Sequence, residues 1–179
     1  MNFRFLLSFV LLLAFASTLI VFAQEAELSL YTKITNSIEK NEPEWKLDRK
    51  AIMSNQVIIR WTSGKGRSFV SVSLLSSEIE ATEAFKSRLN LLMNIPETKT
   101  SKSELKGFGD ACYLLKNEGA VGANIIFRKG SYTVEVFAPS VEIAKRFAQH
   151  VSDLLPTSNK SPKLTAQWHG FHHRTLSLC

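Results

Sequence analysis

The feature that most constrains the fold of this chain is a β-hairpin followed by an amphipathic helix, a unit that occurs twice along the sequence. In the first copy, two β-branched runs, Gln56 to Thr62 and Phe69 to Leu75, flank a turn that contains two glycines. Val70, Val72 and Leu74 alternate with polar residues, as expected for a strand with one buried face. This pattern predicts an antiparallel sheet with helices packed on it.

The helix after the first hairpin has a clear start. Ser77 stands three residues before Glu80, the spacing of a capping box, in which each side chain accepts a hydrogen bond from the other residue's backbone N–H. A buried stripe follows at helical spacing: Ala81, Phe85, Leu89 and Leu92. We predict that this helix ends before Pro96 and that Glu97 to Lys106, which is polar, forms an exposed loop.

The second copy begins at Gly107. It has three β-rich runs: Ala111 to Leu115, Asn124 to Arg128 and Tyr132 to Phe137. Glycine-containing turns separate these runs, which predicts a three-stranded meander. Ser140 then caps a strongly amphipathic helix that ends before Pro156.

A further helix precedes both copies. Leu28, Tyr31, Ile34 and Ile38 recur at helical spacing and predict a helix over about Ala26 to Lys40. The whole pattern predicts the α+β class, with an antiparallel sheet of about five strands, helices on one of its faces and the order α-ββ-α-βββ-α.

The N-terminus is typical of a secretory signal peptide. Met1 to Arg4 carries one positive charge, and Phe5 to Phe22 is an apolar run. The small residues of a peptidase site precede the polar stretch from Gln24, so we predict cleavage after Ala23 and a secreted or periplasmic protein. An uncleaved N-terminal anchor is the alternative, because such a run spans roughly 27 Å as a helix. The predicted organisation is a signal peptide (1–23), a single α+β domain (24–156) and a disordered tail (157–179).

The positive charge of the chain does not indicate nucleic-acid binding. The formal net charge is +6, and part of it comes from Arg4 and from a tail that has basic residues but no acid. The remaining body mixes both signs, without the basic stripe and interleaved aromatic residues of a nucleic-acid interface. We therefore expect no nucleic-acid partner.

The most distinctive motif is Gly107-Phe108-Gly109-Asp110 at the start of a strand, followed by Arg128-Lys129-Gly130 in the next hairpin. Over about residues 107–155 this pattern resembles that of uncharacterised bacterial secreted or periplasmic α+β domains. More loosely, the layout is similar to the PsbP-like and kinase extracellular sensor folds. The resemblance implies a binding or sensory module and assigns no catalytic residue.

The same motif contains the candidate ligand-binding residues Asp110, Arg128 and Lys129, which would be polar contacts at the rim of a groove. The alternative is structural, because the glycines and Asp110 also suit a tight turn into a strand. A second candidate surface is the sheet face opposite the helices, to which Phe69, Tyr132 or Phe137 could contribute an exposed aromatic patch.

An enzyme is the alternative of a different class. A hydrolase or thiol enzyme would use Cys112 or His150, and a thiol nucleophile needs a base within hydrogen-bond reach. No Gly-x-Ser-x-Gly elbow, Walker loop or His-Glu-x-x-His motif is present. We therefore name no catalytic residue, cofactor or metal site, and whether the chain is an enzyme stays open, with a binding module preferred.

The C-terminal tail has its own candidate chemistry. Its three histidines and terminal thiol, His169, His172, His173 and Cys179, are ligands that zinc, copper or nickel accept. Without fixed spacing such a cluster is weak, so a disordered tail is preferred. A disulfide between Cys112 and Cys179 is a further alternative in an oxidising compartment.

These observations favour a non-catalytic ligand-binding or protein-binding domain, or an accessory domain, of the cell envelope. Its expected partner is a small ligand or an envelope protein. If the signal peptide is cleaved, no stable membrane span remains.

Overall fold

A computed structural model describes residues 28–53, 55–96 and 98–156 of the chain. The predicted signal peptide, its cleavage site, the histidine-containing tail and Cys179 lie outside these residues. The division into a signal peptide, one domain and a tail therefore stays a prediction.

One antiparallel sheet organises the described residues. Its seven strands are β1 (Lys46–Met53), β2 (Gln56–Ser63), β3 (Gly66–Leu74), β4 (Thr100–Glu104), β5 (Ala111–Asn117), β6 (Ala123–Lys129) and β7 (Tyr132–Ala138). Their spatial order is β1-β2-β3-β7-β6-β5-β4, with every neighbouring pair antiparallel. Strands β1 to β3 form one half of the sheet and β4 to β7 the other. The last strand of each half, β3 and β7, pair at the centre, and β1 and β4 form the edges.

The described residues also form three helices: α1 over residues 28–41, α2 (Glu78–Met93) and α3 (Val141–Leu154). The α+β class is confirmed, but the predicted strand number and order are wrong. The chain runs α-βββ-α-ββββ-α, because β1 precedes the first hairpin and β4 lies within the predicted loop at 97–106. Both of these strands are edge strands, and only the entry to β1, where Trp45 and Leu47 alternate with charged residues, suggests a short strand in the sequence. All of β1 and most of β4 are exposed, so neither has the alternation that marks a half-buried strand.

One face of the sheet, here called the closed face, is covered by α1 and α3. Tyr31, Ile34 and Ile38 of α1 and the apolar stripe of α3 pack with the sheet in a single buried cluster. Within it Phe147 packs nearly perpendicular to two buried indoles, at centroid distances of 5.4 Å from Trp45 and 5.5 Å from Trp61. This cluster is the main core of the molecule.

The opposite face, here called the open face, carries α2, so the prediction of helices on a single face is wrong. Phe85, Leu89 and Leu92 of α2 bury Leu115 and Ile126, which point away from the closed face. Strands β5 and β6 contain consecutive buried apolar residues rather than alternating ones, the pattern of strands covered on both faces. Helix α2 covers only this half of the open face.

The start of α2 confirms half of the predicted capping box. The Ser77 Oγ accepts a hydrogen bond from the backbone N–H of Glu80 at 3.1 Å. The Glu80 carboxylate, however, accepts from the backbone N–H and hydroxyl of Ser76 rather than from Ser77. The reciprocal bond is displaced by one residue, and the helix still begins where the sequence predicts.

Candidate functional site

The candidate site is a groove on the open face, beside α2. Strands β1, β2 and β3 extend beyond the helix, and the step between helix and bare sheet leaves a cavity of about 520 Å³. This volume lies within the range of small-molecule sites, about 300 to 1,000 Å³. The groove is a consequence of the seven-stranded sheet, since a single helix cannot cover all of its strands.

Apolar side chains from four elements line the groove. Ala51 comes from β1, Ile58 from β2, Phe69 from β3 and Ala84 from α2. Phe69 also stacks on Phe137 with a centroid distance of 5.7 Å, which fixes its ring against the central strands. The groove therefore offers an apolar surface with one ordered aromatic ring.

Three arginines surround this apolar surface: Arg49 on β1, Arg60 on β2 and Arg88 on α2. The Arg88 Nε donates to Glu135 at 2.6 Å, and Glu135 is only 6% exposed. The Arg60 Nε donates to Asp48. Within the described residues Arg49 makes no salt bridge, so one guanidinium remains without an acidic partner.

Neutral polar groups complete the lining. The Gln56 Nε2 donates to the Ser71 Oγ at 2.8 Å, and the Thr133 hydroxyl donates to the Ala81 carbonyl of α2 at 3.1 Å. The second bond ties α2 to β7 under the groove and defines its inner wall. In the described part of the chain the Gln56 amide oxygen accepts no hydrogen bond, so it is available to a ligand in the groove.

Of the three aromatic residues predicted to form an exposed patch on this face, two lie on it, and both of these are partly buried. Phe69 and Phe137 lie on the open face, opposite one another on β3 and β7. Tyr132 lies on the closed face, where it packs against the main core. Burial raises the pKa of its phenol.

Asp110 and Arg128, two of the predicted ligand contacts, lie together outside the groove. Asp110 forms a salt bridge with Arg128, with 2.9 Å between Oδ2 and Nη1, and the same Oδ2 accepts a hydrogen bond from the Gly130 backbone N–H at 2.9 Å. The Arg128 Nη1 also donates to the Gly130 carbonyl at 3.1 Å. These contacts hold the β6–β7 turn against the start of β5, as the structural alternative for the motif predicts.

The glycine before Asp110 is required by the same close approach. A Cβ at Gly109 would lie 2.3 Å from the Arg128 carbonyl oxygen, a distance that a side chain cannot adopt. Phe108 enters the core beside Phe127, and its carbonyl accepts from the buried Ser152 hydroxyl. The motif therefore joins β5, β6 and α3.

Lys129, the third predicted contact, points to the end of α3. Its Nζ donates to the Ser152 carbonyl at 2.6 Å. The last turn of α3 contains no basic residue, so Lys129 supplies the positive charge that stabilises a helix C-terminus.

Cys112 and His150 are not joined by a hydrogen bond in the described part of the chain. Cys112 is buried on the closed face, and burial raises the pKa of its thiol to about 12. His150 lies instead beside Glu42, with 3.5 Å between the His150 Nε2 and the Glu42 Oε1. A thiol with this pKa is almost wholly protonated at neutral pH and is a poor nucleophile.

Glu42 is held mainly by Arg146. The arginine donates from Nε at 2.6 Å and from Nη2 at 3.0 Å, and Glu42 raises the pKa of its guanidinium. Glu42 is only 4% exposed. This ion pair ties the end of α1 to α3 on the closed face.

Within residues 28–53, 55–96 and 98–156, no group of three or more His, Cys, Asp or Glu side chains is placed to hold a metal ion. None of the helices in these residues has the length and apolar character needed to cross a bilayer.

Comparison with known proteins gives one distant structural similarity. No family model matches the chain, and no curated protein matches it. A GTP binding regulator from Thermotoga maritima, known from a crystal structure, is 15% identical with a TM-score of 0.42. The match covers 68% of this chain and 85% of that one. No functional conclusion follows from it.

The groove arginines were not identified from the sequence. Arg49 belongs to an edge strand without apolar alternation, Arg60 lies within a β-branched run, and Arg88 is one of several charged residues of α2. Arg49 and Arg60 are cross-strand partners on β1 and β2, and Arg88 joins them only because α2 crosses the open face. The available signal was the run of consecutive apolar residues in β5 and β6, which indicates a helix on that face.

Proposed function

We propose that this chain is an exported, non-catalytic binding module of the cell envelope and that the groove beside α2 is its ligand site. The observation that carries the proposal is the groove itself, a cavity of about 520 Å³ with an apolar surface and convergent polar groups. Such a combination is the usual character of a small-molecule site. A binding role fits the lack of an activated nucleophile at Cys112.

The groove also differs from the rest of the surface in how it is built. Its walls are strands and a helix rather than loops, and bonds such as Thr133 to Ala81 join them. Sites formed on rigid elements need little reordering when a ligand binds, which preserves affinity.

The binding proposal can be tested with a neutral apolar dye, Nile red, because its fluorescence rises in apolar surroundings. We expect the protein to bind one dye and Ser71→Trp, which fills the groove from the sheet, to abolish binding. Ser103→Trp is the matched control, because Ser103 is an exposed serine on β4 at the far edge of the sheet. Ala84→Trp fills the groove from α2 and serves if Ser71→Trp does not fold.

Two results of this experiment would contradict the binding proposal. One is the absence of dye binding to the wild-type protein. The other is dye binding that persists in both groove-filling variants while their thermal unfolding remains cooperative. In either case the groove is not a ligand site.

Export is a separate part of the proposal and rests on the apolar run from Phe5 to Phe22. We expect the protein recovered from its source to begin at Gln24, and intact-mass measurement checks this. A mass that includes Met1 in a membrane fraction would instead indicate an anchored envelope protein, the alternative stated above.

A further inference from the structure

We propose that the ligand of the groove is a small amphipathic anion, with a carboxylate or phosphate head held by arginines and an apolar chain lying along the bare strands. This inference rests on the proposed function, because it names the chemistry of the ligand for that same groove. It is carried by the charge of the lining, by the free hydrogen-bond donors and by the position of the apolar side chains.

The lining of the groove is positive. It contains Arg49, Arg60 and Arg88, and Glu135 is the single carboxylate among the described lining residues. Asp48, which pairs with Arg60, adds one negative charge at the edge. Even with both ion pairs formed, Arg49 leaves the site with an uncompensated positive charge.

The paired arginines also keep free donors. Arg60 donates from Nε to Asp48, and Arg88 donates from Nε to Glu135. In the described part of the chain, the terminal nitrogens of both guanidiniums make no hydrogen bond. Arg146 on the closed face, by contrast, uses both Nε and Nη2 on its carboxylate. The groove arginines are thus held in place with one edge still open, the geometry that binds carboxylate or phosphate.

The apolar residues lie next to these cations in the same groove. Ala51 and Ile58 are cross-strand partners, Phe69 is the cross-strand partner of Arg60, and Ala84 lines the groove from α2. On α2, Ala84 and Arg88 are four residues apart and therefore on the same side of the helix. A ligand with a charged head and an aliphatic chain contacts both kinds of surface at once, whereas a purely polar ion would leave the apolar surface exposed.

The head group is tested by titration calorimetry of the full chain near neutral pH with four probes that share one chain. The probes are decanoate, decyl phosphate, decanol and decylammonium. We expect one or both anions to bind at least about tenfold more tightly than decanol, since a charge-assisted hydrogen bond contributes that much or more. Decylammonium should bind most weakly. The stronger of the two anions identifies the head group.

Arg49→Gln tests the residue that makes no salt bridge among the described residues. We expect it to weaken decanoate binding by about tenfold and to leave decanol binding unchanged. Arg67→Gln is the matched control, because Arg67 is an exposed arginine of β3 that lies on the same face but outside the groove lining. It removes the same charge and should change neither affinity.

The apolar half of the inference is tested by chain length. Each added methylene should tighten binding by about threefold if the chain lies on apolar surface, so decanoate should bind about tenfold more tightly than octanoate. Equal affinities would show that the chain remains in water and would overturn this half of the inference.

The remaining outcomes separate the inference from the proposed function. Equal binding of decanol and decanoate, both lost in Ser71→Trp, would overturn the anionic head and leave the groove as a ligand site. Failure of all four probes and of Nile red would overturn both. Decanoate affinity that falls as the protein dimerises would show that a second copy occupies the groove, which also overturns the inference.

Discussion

Among the described residues, each face of the sheet buries one carboxylate beside one arginine, and the two pairs differ in the hydrogen bonds that they make. On the closed face Glu42 receives two hydrogen bonds from Arg146, at 2.6 and 3.0 Å, between two helices. On the open face Glu135 receives one from Arg88 at 2.6 Å and lines the groove. The carboxylates are almost equally buried, at 4% and 6% exposure.

The difference shows how one sheet serves two purposes. On the closed face Arg146 donates to Glu42 from two nitrogens, and the large side chains around Phe147 fill the space under the helices. The open face keeps guanidinium donors and apolar area without partners in the described structure. We infer that stability is concentrated on the closed face and binding on the open face.

The largest expected effect comes from the aromatic core. Phe147→Ala should lower the free energy of unfolding by about 4 kcal/mol, because it leaves a cavity between two buried indoles. Phe69→Ala, the matched change in the groove, should cost about 1 kcal/mol, since Phe69 is only partly buried. Urea unfolding monitored by tryptophan fluorescence measures both. Equal losses would contradict the division of roles between the faces.

The two ion pairs give the next largest difference. Arg146→Met leaves the Glu42 charge between helices and should lower the free energy of unfolding by about 3 kcal/mol. Arg88→Met should cost only about 1.5 kcal/mol, because water in the groove can solvate Glu135. Urea unfolding at neutral pH compares them, and a larger loss for Arg88→Met would place the more desolvated carboxylate on the open face.

The pH dependence of the free energy of unfolding gives a third comparison of the two faces. Burial raises the pKa of the Cys112 thiol from 9.0 to about 12. Above the lower value the unfolded chain loses a proton that the folded chain keeps, so stability falls from about pH 9 to about pH 12. At about pH 10.5 this loss should be about 2 kcal/mol relative to pH 8. It is measured as the difference between the wild-type protein and Cys112→Ala, because the phenol of Tyr132, whose pKa burial also raises, contributes equally to both.

A thiol placed in the groove provides the control for this pH dependence. Ser73→Cys in the Cys112→Ala background puts the same group on the open face, where water reaches it. Its pKa, measured by the pH dependence of alkylation, should be close to that of a free thiol. An equally raised value there would mean that the groove is as dry as the core.

The smallest expected effects are at the helix caps. Ser140→Ala and Ser77→Ala each remove a hydrogen bond to a backbone N–H and should cost about 1 kcal/mol. Helix α3 belongs to the main core, so its loss should appear in global unfolding. Helix α2 covers only half of a face, and its loss should appear in faster hydrogen exchange confined to 78–93. Uniformly faster exchange in Ser77→Ala would show that α2 opens only with the whole domain.

Much of the fold could be predicted from local patterns. Strands β2, β3, β5, β6 and β7 lie within a few residues of the predicted runs, and both serine caps were identified. The predicted order left out the two edge strands because an edge strand exposed on both faces has no burial pattern. Their existence depends on hydrogen bonds to β2 and β5 rather than on their own side chains.

The candidate site could be predicted far less well. Asp110, Arg128 and Lys129 attracted attention because of a local motif, and the structure gives all three of them internal contacts. The groove residues come from β1, β2, β3, β7 and α2 and share no local motif.

By itself the sequence determined which segments become central strands and helices, where α2 and α3 begin, and which side chains form the main core. These features depend on side-chain periodicity and on hydrogen bonds between residues a few positions apart. The tertiary structure decided that β3 pairs with β7, that α2 lies on the opposite face from α1 and α3, and that three arginines meet beside bare strands. Those features depend on pairing between distant segments, which leaves no periodic trace in either segment alone.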